Sequence, residues 1–172
     1  DFDYASNLYF SDEAVELAVN LMKSGRGFTI VTDTNMALAG VNKAALKQLN
    51  GTVRCFMADP DVAAEAKERG VTRAIVSMER AATLAGPVIF AIGNAPTALI
   101  RLYEMMQKGE IHPDFIIGTP VGFVNVVESK ELICQSSVPC IVARGRKGGS
   151  NIAAAVCNAL MYQVTRTQKS GK

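Results

Sequence analysis

The densest group of residues suited to chemistry is Arg144-Gly145-Arg146-Lys147-Gly148-Gly149-Ser150, where three cations stand among three glycines ahead of an apolar run. Glycine lets a backbone approach a ligand closely, the start of a following helix offers unpaired N–H groups, and Arg and Lys add charge-assisted bonds. The stretch is therefore suited to an anion, and carboxylates fit it as well as phosphates. A tight turn with an N-cap serine is the plainer alternative. Neither G-x-x-x-x-G-K-[ST] nor G-x-G-x-x-G occurs, which removes the main warrant for a P-loop nucleotidase or a Rossmann dinucleotide enzyme. There is no G-x-S-x-G nucleophile elbow either. Cys55, Cys134, Cys140 and Cys157 form no C-x-x-C pair, and a single histidine cannot complete a zinc site with them. No metal site is expected, and the thiols read as reduced.

These residues need elements to hold them. Ser11 reads as the N-cap of a helix bearing Ala14, Leu17, Ala18 and Leu21 and ending at Gly25, after which Phe28 to Thr32 is short, β-branched and strand-like. Asn50-Gly51 turns into a strand from Thr52 to Met57, and Asp59-Pro60 opens a helix to about Gly70, with another over Thr72 to Leu84. Pro87 to Ile92 is a continuous apolar run, as in a central parallel strand. A helix from Pro96 to Lys108, a strand from Asp114 to Gly118, a helix from Val124 to Ile133, a strand from Pro139 to Ala143 and a helix from Ser150 to Tyr162 follow. The tail from Gln163 to Lys172 shows no apolar face.

Such alternation specifies a three-layer α/β/α, Rossmann-like fold with a mainly parallel sheet of about five strands, in one domain over residues 1–172. Ligands of open α/β sheets bind beyond the C-terminal ends of the strands. The candidate loops are then Asp33-Thr34-Asn35, Ala58-Asp59, Gly93 to Thr97, Gly118 to Gly122 and Arg144 to Ser150. His112 enters the fourth strand at the opposite edge and reads as a surface histidine. Glu128-Ser129-Lys130 reads equally well as an exposed helical turn or as part of a site, whereas Met105-Met106 and the Ile152, Val156, Leu160 series read as core.

Composition narrows the class. With 18 basic and 16 acidic residues the net charge is +2, and with 6% aromatic residues there is little support for nucleic-acid binding. At 49% hydrophobic and 20% charged the chain is neither disordered nor fibrous. The uncharged stretch Ala81 to Ile100 is broken at Gly86-Pro87 and Gly93-Asn94-Ala95-Pro96, so no membrane span is expected. Asp1-Phe2-Asp3-Tyr4 has no signal-peptide character, and a cytoplasmic protein is expected.

Four segments together carry a resemblance. Asp33-Thr34-Asn35-Met36, Ala91 to Leu99, Gly122-Phe123-Val124-Asn125 with Glu128-Ser129-Lys130-Glu131, and Gly145 to Ser150, in this order and spacing, resemble the precorrin-8X (cobalt-precorrin-8) methylmutase family over almost the whole chain. The resemblance implies an isomerase of cobalamin (vitamin B12) biosynthesis that moves a methyl group from C-11 to C-12 of precorrin-8 or cobalt-precorrin-8 without a protein-bound metal or organic cofactor. The product is hydrogenobyrinate or cobyrinate. It also implies a homodimer. By motif, Asn94 and Thr97 present hydrogen bonds at a helix N-terminus, Arg146, Lys147 and Ser150 receive carboxylates, and Asp33 and Lys130 make polar contacts at the ring periphery. Asn35 stands where relatives often carry a basic or larger residue. The family's catalytic histidine lies in an R-x-I-H segment a few residues ahead of the stretch matching Asp1 to Phe10, so it is expected upstream of Asp1 and its role is not transferred to His112. A non-catalytic corrinoid-binding protein and a phosphate-ligand α/β enzyme using the Arg144 to Ser150 loop are the competing readings.

Overall fold

The computed structural model describes residues 1–167. Its elements run α1 (Tyr4–Asn7), β1 (Leu8–Phe10), α2 (Ala14–Lys23), β2 (Phe28–Thr32), α3 (Asn35–Gly40), α4 (Lys43–Gln48), β3 (Gly51–Arg54), α5 (Pro60–Arg69), α6 (Arg73–Ala81), β4 (Val88–Ile92), α7 (Pro96–Gln107), β5 (Phe115–Gly118), α8 (Val126–Cys134), β6 (Cys140–Ala143) and α9 (Ser150–Thr167). The strands form one sheet in the order β1-β6-β5-β4-β2-β3. All neighbours are parallel except β1, which pairs antiparallel with β6 through Leu8↔Ala143, Tyr9↔Val142 and Phe10↔Ile141. β2 lies between β3 and β4, so the chain leaves β2 toward one side and β4 toward the other, and the crevice between their C-terminal ends is the topological switch point.

Alternate side chains of the strands feed two cores. Ile30, Ile89, Ala91, Phe115, Ile117 and Ile141 pack under α2, α3, α4 and α9, while Val31, Val88, Phe90, Ile92, Ile116 and Val142 pack under α5 to α8. Every residue of β4, β5 and β6 is buried, as strands covered on both faces must be. Fully burying such a side chain contributes about 1.5–3 kcal/mol, so this sandwich is a rigid support for the loops above it.

The fold class expected from sequence holds, with differences in detail. The sheet has six strands, because three residues at the N-terminus add an antiparallel edge. Ser11 does not cap α2: its hydroxyl accepts from the Cys140 N–H at 2.9 Å, and the helix begins after Glu13, which sits in the left-handed region. Asp59 does stand at the N-cap of α5 with Pro60 following, though its side chain makes no capping bond. Asn35, expected in a loop, opens the first of two six-residue helices over residues 35–40 and 43–48, a stretch otherwise assigned to no element from sequence; they are capped by Thr34 and Asn42 through the N–H groups of Ala37 and Ala45. α9 continues beyond Tyr162 to Thr167 with Val164 fully buried, so the first part of the expected polar tail is core; the remainder of that tail lies outside the described residues.

Candidate functional site

Three loops meet at the C-terminal edge of β4, β5 and β6. The Thr119 N–H donates to the Ile92 carbonyl at 2.8 Å and the Gly149 N–H to the Thr119 carbonyl at 2.8 Å, tying the 93–97, 118–122 and 144–150 loops together. Glycine is required at the junctions. A Cβ on Gly93 would fall 2.6 Å from the Ser150 Cα, and one on Gly148 would fall 2.1 Å from the Thr119 carbonyl oxygen. The N-termini of α7 and α9 are thereby held side by side at the switch point.

Asp33, at the end of β2, reaches across this junction. Its Oδ1 accepts from the Gly93 N–H at 2.8 Å, and its Oδ2 from the N–H groups of Asn94 at 2.8 Å and Ala95 at 2.6 Å. The carboxylate is fully buried, and no Lys, Arg or His pairs with it among the described residues. Burial pushes its carboxyl up from the usual range against the opposing pull of the three amides. Each such charge-assisted bond is worth about 1.5–3 kcal/mol, enough in combination to hold the group in place.

Lys130 performs the inverse task for the other loop. It projects from α8 beneath residues 144–149, is fully buried, and its Nζ donates to the Gly145 and Lys147 carbonyls, each at 2.8 Å. Burial lowers its pKa to about 8. Its neighbour Ser129 is buried as well, donating to the Val126 carbonyl, so the exposed-turn reading of Glu128-Ser129-Lys130 does not hold. Asp33 and Lys130, expected at the ring periphery, both turn their polar atoms onto backbone instead. A strand end and an inward helix face gave them no route to the surface.

The remaining expected residues stand at the rim. Arg146 is exposed, with its guanidinium carbon 5.8 Å from the centre of the Phe123 ring. Lys147 pairs with Asp1 at 2.8 Å and with Asp3, a bond that lowers the Asp3 carboxyl below its usual value. Ser150 is nearly buried and shares a 2.7 Å hydrogen bond with the Thr34 hydroxyl. Asn94 is exposed, and the Thr97 hydroxyl lies 3.4 Å from that of Thr72, which brings the first turn of α6 beside that of α7. The rim also exposes Phe123 (84%), Val124 (77%) and Met36 (72%). His112 is exposed in the connection from α7 to β5, at the opposite edge, beside Ile111, Pro113 and Ser136 to Val138.

Arg73 is a rim residue the sequence reading passed over. It is exposed at the first position of α6, next to Thr72 and hence near Thr97. A cation there opposes the helix dipole, which favours acidic residues in a first turn. That mismatch is the signal available in the sequence.

Architecture and edge chemistry define a doubly wound α/β protein whose switch point carries a cluster of glycine-bearing loops with cations at their rim. The chain belongs to the precorrin-8X methylmutase family, isomerases of cobalamin biosynthesis, whose pattern matches residues 1–163. It is 41% identical over 160 residues to a cobalt-precorrin-8 methylmutase of Priestia megaterium, covering 93% of this chain and 70% of that protein. Identity to the enzyme of that name from Salmonella typhimurium is 42% over 165 residues, covering 95% and 76%. A crystal structure of precorrin-8X methylmutase from Thermus thermophilus aligns with a TM-score of 0.85 at 35% identity, over 97% of this chain and 81% of that one.

Proposed function

We propose that this chain binds precorrin-8 or cobalt-precorrin-8 across the rim of the switch point and moves a methyl group from C-11 to C-12, giving hydrogenobyrinate or cobyrinate. The observation that carries this reading is the pairing of anion-seeking groups with exposed apolar side chains on one edge. Arg146, Lys147 and the first turn of α9 at Ser150 receive peripheral carboxylates, Asn94 and Thr97 add hydrogen bonds, Arg73 extends the cationic rim, and Phe123, Val124 and Met36 face the macrocycle. Asp33 and Lys130 support this surface from below.

The shift conserves composition, so the protein needs to orient the ring and manage one proton. A proton placed on the ring draws electron density from the migrating centre and eases the shift, work suited to a group with a pKa near neutrality. His112 stands at the wrong edge for it. Any residue joined ahead of Asp1 would emerge beside Lys147, because Asp1 and Asp3 bond to that side chain and the Tyr4 hydroxyl reaches the Gly148 carbonyl at 3.5 Å. That is where the expected R-x-I-H histidine would have to act.

A homodimer and a cytoplasmic setting complete the proposal. The second agrees with the four unpaired cysteines, and no helix among the described residues is long and apolar enough to cross a membrane. Absorbance titration with hydrogenobyrinate, followed by an isomerisation assay, tests the reading. Saturable binding with turnover is the expected result for protein carrying the histidine segment. Binding without turnover in that form would favour the corrinoid-binding alternative, and no binding would overturn both.

A further inference from the structure

Two helix N-termini, those of α7 and α9, lie side by side at the same crevice. The first turn of α9 begins at Ser150, in contact with Gly93. Immediately beside it, the successive N–H groups of Gly93, Asn94 and Ala95 form a concavity of the kind that binds anions, leading into the twelve-residue α7. The Asp33 carboxylate fills this concavity, with all three donors within 2.8 Å and no exposure to solvent. Ala95, the N-cap residue of α7, supplies no side-chain cap of its own, so the opening of this helix depends on a carboxylate delivered from another strand.

We infer that Asp33 is an internal anion which occupies the α7 seat in place of a ligand carboxylate, and is thereby a positioning and specificity-determining residue that directs substrate carboxylates to the α9 side. Its place in substrate selection rests on the proposed function above; its place as an internal anion does not. A seat left empty here would draw a ligand carboxylate toward Asn94 and away from Arg146 and Lys147, moving the ring along the edge. With Asp33 in place the 93–97 loop is fixed by its amides, and what it offers outward is the Asn94 side chain and the Thr97 hydroxyl.

The test is anion rescue. In Asp33→Ala the concavity loses its carboxylate, and formate at tens of millimolar should raise the melting temperature by several degrees, whereas isosteric formamide should not and the wild type should respond to neither. Where Asp33→Ala does not fold unaided, refolding yield in formate against formamide is the reading. The vacated seat should also cost Asp33→Ala tenfold or more in hydrogenobyrinate affinity, regained in formate but not in formamide, while a second variant, Asp33→Asn, keeps the volume, fills the seat and should ignore formate. Equal effects of formate and formamide on Asp33→Ala, or no effect of either, would overturn the internal-anion assignment. Formate rescue of stability with unaltered hydrogenobyrinate affinity in Asp33→Ala would overturn only the specificity role. If the wild type binds no corrinoid, the proposed function fails and the formate result still stands.

Discussion

The 93–97 and 144–150 loops sit side by side on the same edge, each held from within by one buried ionisable group, and the two groups have opposite charge. Asp33 takes up N–H groups of the first loop, while Lys130 takes up carbonyls of the second. A loop whose donors are consumed internally has little left for an anion. One whose carbonyls are consumed keeps its cations, Arg144, Arg146 and Lys147, at the surface. The contrast separates two neighbouring glycine-bearing loops at helix starts, and it agrees with the proposal that Arg146, Lys147 and Ser150 form the receiving side.

The comparison breaks most visibly at Asp33. Asp33→Ala strands three amides, and its loss of stability in denaturant unfolding should be about 3–5 kcal/mol, the largest among the variants considered. A loss under about 1 kcal/mol would mean that water replaces the carboxylate freely and that the two loops are not differently held. On the receiving side, Arg146→Ala with Lys147→Ala should weaken hydrogenobyrinate binding by about 2–4 kcal/mol, since each charge-assisted bond is worth about 1.5–3 kcal/mol and Lys147 must first leave Asp1 and Asp3. Stability should hardly change, because exposed ion pairs contribute little. Unchanged affinity in the titration would show that this loop is only a turn.

Lys130 sharpens the contrast through pH. Its pKa is about 8 in the fold against an ordinary 10.5, so between these values the unfolded chain binds more protons and stability rises with pH. Relative to Lys130→Met, the wild type should gain on the order of 2 kcal/mol across that window, measured by denaturant midpoints at several pH values. The buried thiols titrate higher in the fold, Cys140 at about 11 and Cys157 at about 12, and their contribution cancels between the two proteins. A flat difference would place the Lys130 ammonium in contact with water. The smallest effect belongs to His112→Ala, expected to leave turnover and stability within experimental error; a hundredfold fall in turnover would put the connection before β5 in a partner's site.

The sequence made the repeated strand–helix units legible because β4, β5 and β6 are continuous apolar runs between glycine and proline punctuation. It located the edge that carries the chemistry for the same reason, since strand order of direction alone selects the loops. Short elements escaped it. β1 has three residues and α3 and α4 six each, too few for a period to register, although Thr34 and Asn42 were visible as capping types. Ser11 was misassigned because a hydroxyl before a helical pattern has the same appearance whether it caps that helix or bonds to a distant strand. For Asp33 and Lys130, residue type pointed to the right region, but the direction of a side chain depends on packing between layers. Arg73 lies outside the glycine-rich segments that mark the other rim residues.

The antiparallel edge strand has a consequence for assembly. Among the described residues β1 is the first strand and pairs with β6, the last, alone, so their pairing closes a loop spanning most of the described sequence, at an entropic cost that grows with its length. During synthesis β1 emerges long before the residues it needs, and the Tyr9 ring, over which the Arg144 guanidinium stacks at 4.7 Å, stays uncovered until β6 has been made. The rim around Lys147, to which the residues ahead of β1 are bonded, is therefore finished only when the two ends of the described chain have met.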